Sequence, residues 1–284
     1  MIGRLAMALG FLAAGTAELA AQGPVFSSQV EAVRVDVLAT ENGATVKGLT
    51  PGEFELLDNG VPQQIDLVSF EELPLNVVLA LDMSASLDGD RIDHLRNAGK
   101  ALLNGLKSTD QAALVTFSHV VVEDATLTAD FESVRAALDA AQASGRTSLV
   151  DATYTGMMIG ESDVGRSLLI VFSDGVDTTS WLAPESVLET ARRSDVVVYG
   201  VEVGKRKVSF PRDVSTATGG RLLEIESTKD LVATFDGILD EFRQRYVVSY
   251  SPQGVARGGW HRLDVRIKGR SVTVKSRPGY LSGP

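Results

Sequence analysis

Between Pro74 and Arg243 the chain alternates continuous apolar runs with segments whose apolar residues recur every three or four positions. No other feature limits the fold as strongly. Val77-Val78-Leu79-Ala80-Leu81 and Leu168-Leu169-Ile170-Val171-Phe172 are apolar at every position, as a strand must be when helices cover both faces of its sheet. Ala112 to Phe117, Val120 to Leu127, Val196 to Val203 and a short edge segment from Arg221 to Ile225 read as further strands. Ile92, Leu95, Gly99, Leu102 and Leu106 form one helical stripe, and Phe131, Val134, Leu138 and Ala141 mark a second helix. Ser148 to Ile159 and Pro184 to Arg193 add two more, and Leu231, Val232, Phe235, Ile238, Leu239 and Phe242 lie on a strongly amphipathic last one. Strands alternating with helices predict an α/β fold with a mainly parallel central sheet, helices on both faces, and a site at the carboxyl ends of the strands.

The flanks follow a different pattern. From Gln29 to Glu72, near-alternating residues such as Val33, Val35, Val37, Phe54, Leu56, Ile65, Leu67 and Phe70 are punctuated by Glu41-Asn42-Gly43, Thr50-Pro51-Gly52 and Asp58-Asn59-Gly60. An Asn-Gly pair suits a hairpin, because positive φ costs these residues little. After Arg245 the β pattern returns in Tyr246 to Tyr250, Arg262 to Ile267 and Ser271 to Val274. Each flank is short for a core of its own. The expectation is one smaller all-β domain built from 22–73 and 244–284, with the α/β domain, 74–243, emerging from it.

Residues 1–21 carry one cation, Arg4, an apolar stretch from Leu5 to Ala14 and small residues at Ala17, Ala20 and Ala21, the order of a secretory signal. That stretch is shorter than the roughly 20 residues of a bilayer span, and no later stretch is long enough either, so no membrane span is expected in the mature chain, which is placed in the periplasm, the cell envelope or outside the cell. The net charge of −10 opposes a phosphate backbone, so nucleic acid is not an expected partner. Cysteine is absent, which excludes thiol catalysis, thiolate metal sites and disulfides. His94, His119 and His261 lack metal-ligand spacing. Any metal is therefore expected on oxygen.

Oxygen donors gather at three places. Asp82-Met83-Ser84-Ala85-Ser86 follows the first buried run, and in an extended loop residues two apart project to the same side, which predicts that Asp82, Ser84 and Ser86 converge. Gly145-Arg146-Thr147 precedes a helix, and Asp174 follows another buried run. In a parallel sheet all three fall on one rim. Two carboxylates and three hydroxyls suit a small hard cation such as Mg²⁺, and an open coordination position favours a carboxylate from outside.

These residues resemble the metal-ion-dependent adhesion site of von Willebrand factor type A domains, over about Leu75 to Arg243. Gly52-Glu53-Phe54, Asp58-Asn59-Gly60 and Arg277-Pro278-Gly279-Tyr280 resemble a bacterial secreted group that embeds such a domain between β segments. The resemblance implies a Rossmann-like fold, Mg²⁺ (or Mn²⁺ or Ca²⁺) at the site, and hydroxyl ligands from Ser84, Ser86 and Thr147. It implies that Asp82 and Asp174 act directly or through water. It further implies a non-catalytic protein-binding or adhesion module that engages an acidic residue of a protein partner. Arg146 departs from the pattern, standing where many members have a second glycine.

Two other readings remain. One is a structural envelope protein with a vestigial metal site. The other is a phosphoryl-transfer hydrolase using Asp82, although such enzymes want a second acid where Ser84 stands, and no Gly-x-Ser-x-Gly elbow occurs. Asp88, Asp90, Asp151 and Asp177 are expected to be loop and helix-cap carboxylates, Trp181 and Trp260 packing or rim aromatics, Tyr246, Tyr250 and Tyr280 sheet-face residues, and Lys205, Arg206 and Lys207 a solvated loop.

Overall fold

A computed structural model describes residues 32–70, 73–87, 89–162, 164–204 and 209–283. The leader over 1–21, the start of the β pattern at Gln29 and Val30, Asp88 and the Lys205-Arg206-Lys207 triplet lie outside the described residues.

The first flank forms β1 (Val33–Glu41), β2 (Ala44–Thr45), β3 (Phe54–Asp58), β4 (Val61–Pro62) and β5 (Ile65–Phe70). Asn42 and Gly43 link β1 to β2, and Asn59 and Gly60 link β3 to β4, with positive φ at all four, so the two-residue turns form where their chemistry favours them. The middle of the chain folds as β6 (Leu75–Asp82), α1 (Asp90–Asn104), β7 (Gln111–Phe117), β8 (Val121–Thr128), α2 (Phe131–Ala140), α3 (Leu149–Gly160) and β9 (Arg166–Ser173). It continues through α4 (Pro184–Arg193), β10 (Val197–Val203), α5 (Phe210–Ala217), β11 (Leu222–Ile225) and α6 (Leu231–Arg243). The last flank supplies β12 (Tyr246–Tyr250), β13 (Gly259–Ile267), β14 (Thr273–Lys275) and β15 (Gly279–Ser282).

The central sheet runs β11-β10-β9-β6-β7-β8, parallel except for β8, which is antiparallel to β7. Its two faces explain the unbroken apolar runs. Val77, Leu79 and Leu81 of β6 pack with Leu95, Val134, Phe235 and Leu239 from α1, α2 and α6. Val78 and Ala80 pack with Val150, Met157, Val187 and Val214 from α3, α4 and α5. At about 1.5 to 3 kcal/mol for each large side chain fully buried, these two layers are the main source of stability. Helix α5 has no counterpart in the sequence reading: Phe210, Val214 and Ala217 share one buried face, but the segment is only eight residues long.

The flanks form two further sheets, β14-β1-β12-β5, with β2 on β1, and β15-β13-β3-β4. Val35, Val37, Tyr246 and Val248 of one share a core with Phe54, Leu56, Leu263 and Val265 of the other. Each sheet takes strands from both ends of the chain. Phe70, the last residue of β5, pairs directly with Tyr246, the first of β12, so the chain leaves and re-enters this sandwich at adjacent positions. Near that junction the Arg166 guanidinium donates to Asp36 of β1 and to the Phe242 carbonyl, and lies 4.4 Å from the Phe242 ring. Among the described residues no helix is long and apolar enough to cross a membrane.

Candidate metal centre

β6 delivers Asp82 to the carboxyl rim of the central sheet, where it is fully buried. Its Oδ1 accepts the Ser84 amide at 2.8 Å and its Oδ2 the Ser173 hydroxyl at 2.6 Å. The residues after it are not the extended loop that the two-residue spacing predicts, because Ala85–Leu87 form a turn of 3₁₀ helix. Convergence comes from that turn. It sets the Ser84 and Ser86 hydroxyls 3.0 Å apart, and Ser86 donates to Asp174 Oδ1 at 2.5 Å.

Backbone bonds tie in the other two loops. The Ala85 amide donates to the Gly145 carbonyl at 3.2 Å, and the Ser144 amide to the Met83 carbonyl at 2.7 Å. Gly145 has φ +72°, and a Cβ there would lie 2.3 Å from His119 Nδ1, so this close crossing needs glycine. The Thr178 and Thr179 amides both donate to the Thr147 carbonyl, joining the loop after β9 to the start of α3. A Cβ on Gly175 would stand 2.9 Å from Thr147 Oγ1 and 3.7 Å from Asp82 Oδ2. The structure thus brings Asp82, Ser84, Ser86, Thr147 and Asp174 to one place. Ser86 is exposed, whereas the other four are buried.

Burial pushes the Asp82 carboxyl above its usual range; hydrogen bonds from Ser173 and Ser84 oppose that rise, and the negative charge of Asp174 adds to it. Asp174 is itself paired with Arg91, whose guanidinium lies 3.0 Å from Oδ2. A pocket of hydroxyl and carboxylate oxygens, with carboxylates crowded in low dielectric, is what a hard divalent cation requires, and the donor chemistry fits one. Among the described residues no group of three or more His, Cys, Asp and Glu side chains is placed to hold a metal, so the hydroxyls are essential to the fit.

Sequence reasoning missed Ser173 and Arg91. Ser173 adjoins the Asp174-Gly175 pair and Arg91 is the second residue of α1, yet their partners are distant in sequence and neither position carries a local signal. Asp151 and Asp177 act as loop ties. The first accepts the Trp181 and Leu182 amides, and the second accepts the Val150 amide and the Ser180 hydroxyl. Trp181 is 95% exposed, a rim residue, while Tyr246, Tyr250 and Tyr280 are buried in the sandwich.

The family model of the von Willebrand factor type A domain matches residues 76–236, more than half of the chain. The chain belongs to the von Willebrand factor type A family. No curated protein matches its sequence. Among solved structures, this von Willebrand factor type A chain is similar to proximal thread matrix protein 1 from the mussel byssus with a zinc-occupied MIDAS motif. That likeness has a TM-score of 0.56 at 14% identity, over 65% of this chain and 49% of that one, so the chain spans about half of that protein. It is also similar to a von Willebrand factor type A protein from Catenulispora acidiphila, with a TM-score of 0.53 at 11% identity over 80% of this chain and 72% of that one. A variant of the PilB minor pilin from Streptococcus sanguinis aligns with a TM-score of 0.50 at 14% identity, over 61% of this chain and 62% of that one. At these identities the likeness carries the fold.

Proposed function

We propose that this protein is a non-catalytic binding module that captures an acidic residue of a protein partner through a divalent cation. Asp82, Ser84, Ser86, Thr147 and Asp174 would hold the cation, Mg²⁺ first and Mn²⁺ or Ca²⁺ in its place. Once bound, it supplies a Lewis-acidic position for a carboxylate oxygen. The observation that supports this most is the meeting of three hydroxyls and two carboxylates from three loops, with Ser86 on the open side. Neutral hydroxyl donors leave much of the ion's charge uncompensated, which favours an anionic partner. The burial of Asp82 and the engagement of both its oxygens make it a poor nucleophile, which argues for binding over phosphoryl transfer.

We place the protein in the envelope or outside the cell on the strength of the leader pattern at 1–21, with domain limits at 22–73, 74–243 and 244–284. The test is calorimetric titration with Mg²⁺, Mn²⁺ and Ca²⁺, followed by capture from envelope extract in Mg²⁺ and in chelator. Ser84→Ala combined with Thr147→Ala should abolish both while leaving the circular dichroism spectrum intact. Equal capture in chelator would sink the reading, and phosphoester turnover lost in Asp82→Asn would favour the hydrolase.

A further inference from the structure

On the loop after β9, joined to the candidate centre through Thr147, a tryptophan stands almost wholly in water. Trp181 is 95% exposed, and Val176 and Leu182 on the same loop are 46% and 37% exposed. The loop that carries them is held firmly. The Trp181 and Leu182 amides donate to the two oxygens of Asp151, each at 2.9 Å, and the Ser180 amide and hydroxyl donate to Asp177. Asp177 in turn accepts the Val150 amide, and the Thr178 and Thr179 amides end on the Thr147 carbonyl. An indole displayed on a backbone already fixed loses little further freedom when a partner covers it. Tryptophan in that setting is the residue type most enriched at the energetic centres of protein interfaces.

Placement indicates what the partner looks like. The Thr178 and Thr179 amides reach the Thr147 carbonyl at 2.9 and 3.2 Å, so the loop that carries Trp181 two residues further on sits against a candidate metal ligand. An extended peptide advances about 3.3 Å per residue, so a carboxylate at the centre and a side chain on Trp181 would be a few residues apart. Arg146, next to Thr147, is exposed on the same rim, and its cation complements an acidic segment. We propose that Trp181, with Val176 and Leu182, is a second contact that selects partners carrying a large apolar side chain two to four residues from the captured carboxylate. This rests on the metal-dependent reading of the centre.

The chain has two tryptophans, so the Trp260→Phe background makes Trp181 the sole indole reporter. The probes are two Gly/Ser peptides with one Asp, one of them with a Phe three residues from it, titrated in Mg²⁺ and in chelator. The Phe peptide should bind about tenfold tighter in Mg²⁺, blue-shifting the Trp181 emission, and Trp181→Ala should bind both peptides equally. A preference that survives Trp181→Ala, or equal binding by the parent protein, would overturn the proposal. So would a blue shift on anionic vesicles without any peptide preference, which would make Trp181 a membrane contact. Calorimetry separates the two readings. Ion binding with no Phe preference defeats only the apolar contact, whereas no ion binding at all defeats the metal centre and the contact with it.

Discussion

Arg91 Nη1 donates to Asp174 Oδ2 at 3.0 Å and to the Ser86 carbonyl at 3.2 Å, so a fixed positive charge already neutralises one of the two carboxylates at the candidate centre. The guanidinium is half-exposed while Asp174 is 3% exposed, so water and salt reach the pair from the arginine side. A divalent ion must be held against that charge. Arg91→Ala should therefore tighten Mn²⁺ binding about three- to tenfold at low ionic strength, with the difference shrinking in high salt. Calorimetric titration at two salt concentrations decides this, and an unchanged or weaker affinity would show that Arg91 serves to orient Asp174 instead.

Gly175 has the opposite role, since it leaves room. A methyl group there would sit 2.9 Å from Thr147 Oγ1, closer than real Cβ atoms come, and 3.7 Å from Asp82 Oδ2. The threonine side chain is short and gives way by turning about χ1, which carries its hydroxyl off the centre. Gly175→Ala should weaken divalent binding by tenfold or more while shifting the melting temperature by only a few degrees. Retained affinity would remove Thr147 from the ligand set.

Much of the α/β architecture was legible because β6 and β9 are covered on both faces and so are apolar without a break. The same coverage fixed where Asp82 and Asp174 would end, and that brought the candidate ligands to one rim. What stayed illegible depended on contacts distant in sequence. Nothing local to Phe54 or Val35 says that β3 and β1 enter different sheets, since the pairing with β13 and β12 is decided more than 200 residues away. Ser84 and Ser86 meet for a reason the two-residue spacing did not supply, a 3₁₀ turn in place of an extended loop. Ser173 and Arg91 were missed because a hydrogen bond across 91 or 83 residues leaves no trace in spacing.

Asp58 closes the sandwich much as the metal centre closes the rim. It is fully buried and accepts the Tyr250 and Tyr280 hydroxyls, both at 2.9 Å, with His261 Nδ1 at 2.8 Å. These groups come from β3, β12, β15 and β13, which join both sheets. Replacing the acceptor removes the carboxylate these three groups share in low dielectric and leaves them only one another. Asp58→Ala should cost about 3 to 5 kcal/mol, read as a fall in the urea midpoint at unchanged slope. Divalent binding by the fraction that folds should be unaffected, since no residue of this cluster lies at the metal centre.

The same cluster gives the protein an alkaline limit. Burial pushes the Tyr280 hydroxyl up to about 12; the Tyr250 hydrogen bond opposes that rise, and Asp58 reinforces it. Tyr250 is raised further, by burial first and then by its bonds to Tyr280 and Asp58. A tyrosine free in the unfolded chain ionises near 10, so the unfolded state sheds its protons first as pH rises. The stabilisation is therefore whole below pH 10 and is lost as pH climbs through about 12. Urea midpoints measured from pH 8 to pH 12 should hold to about 10 and then fall. Tyr280→Phe should start lower at neutral pH, having lost its bond to Asp58, and then decline less steeply. Parallel curves for the two proteins would locate the alkaline transition elsewhere in the chain.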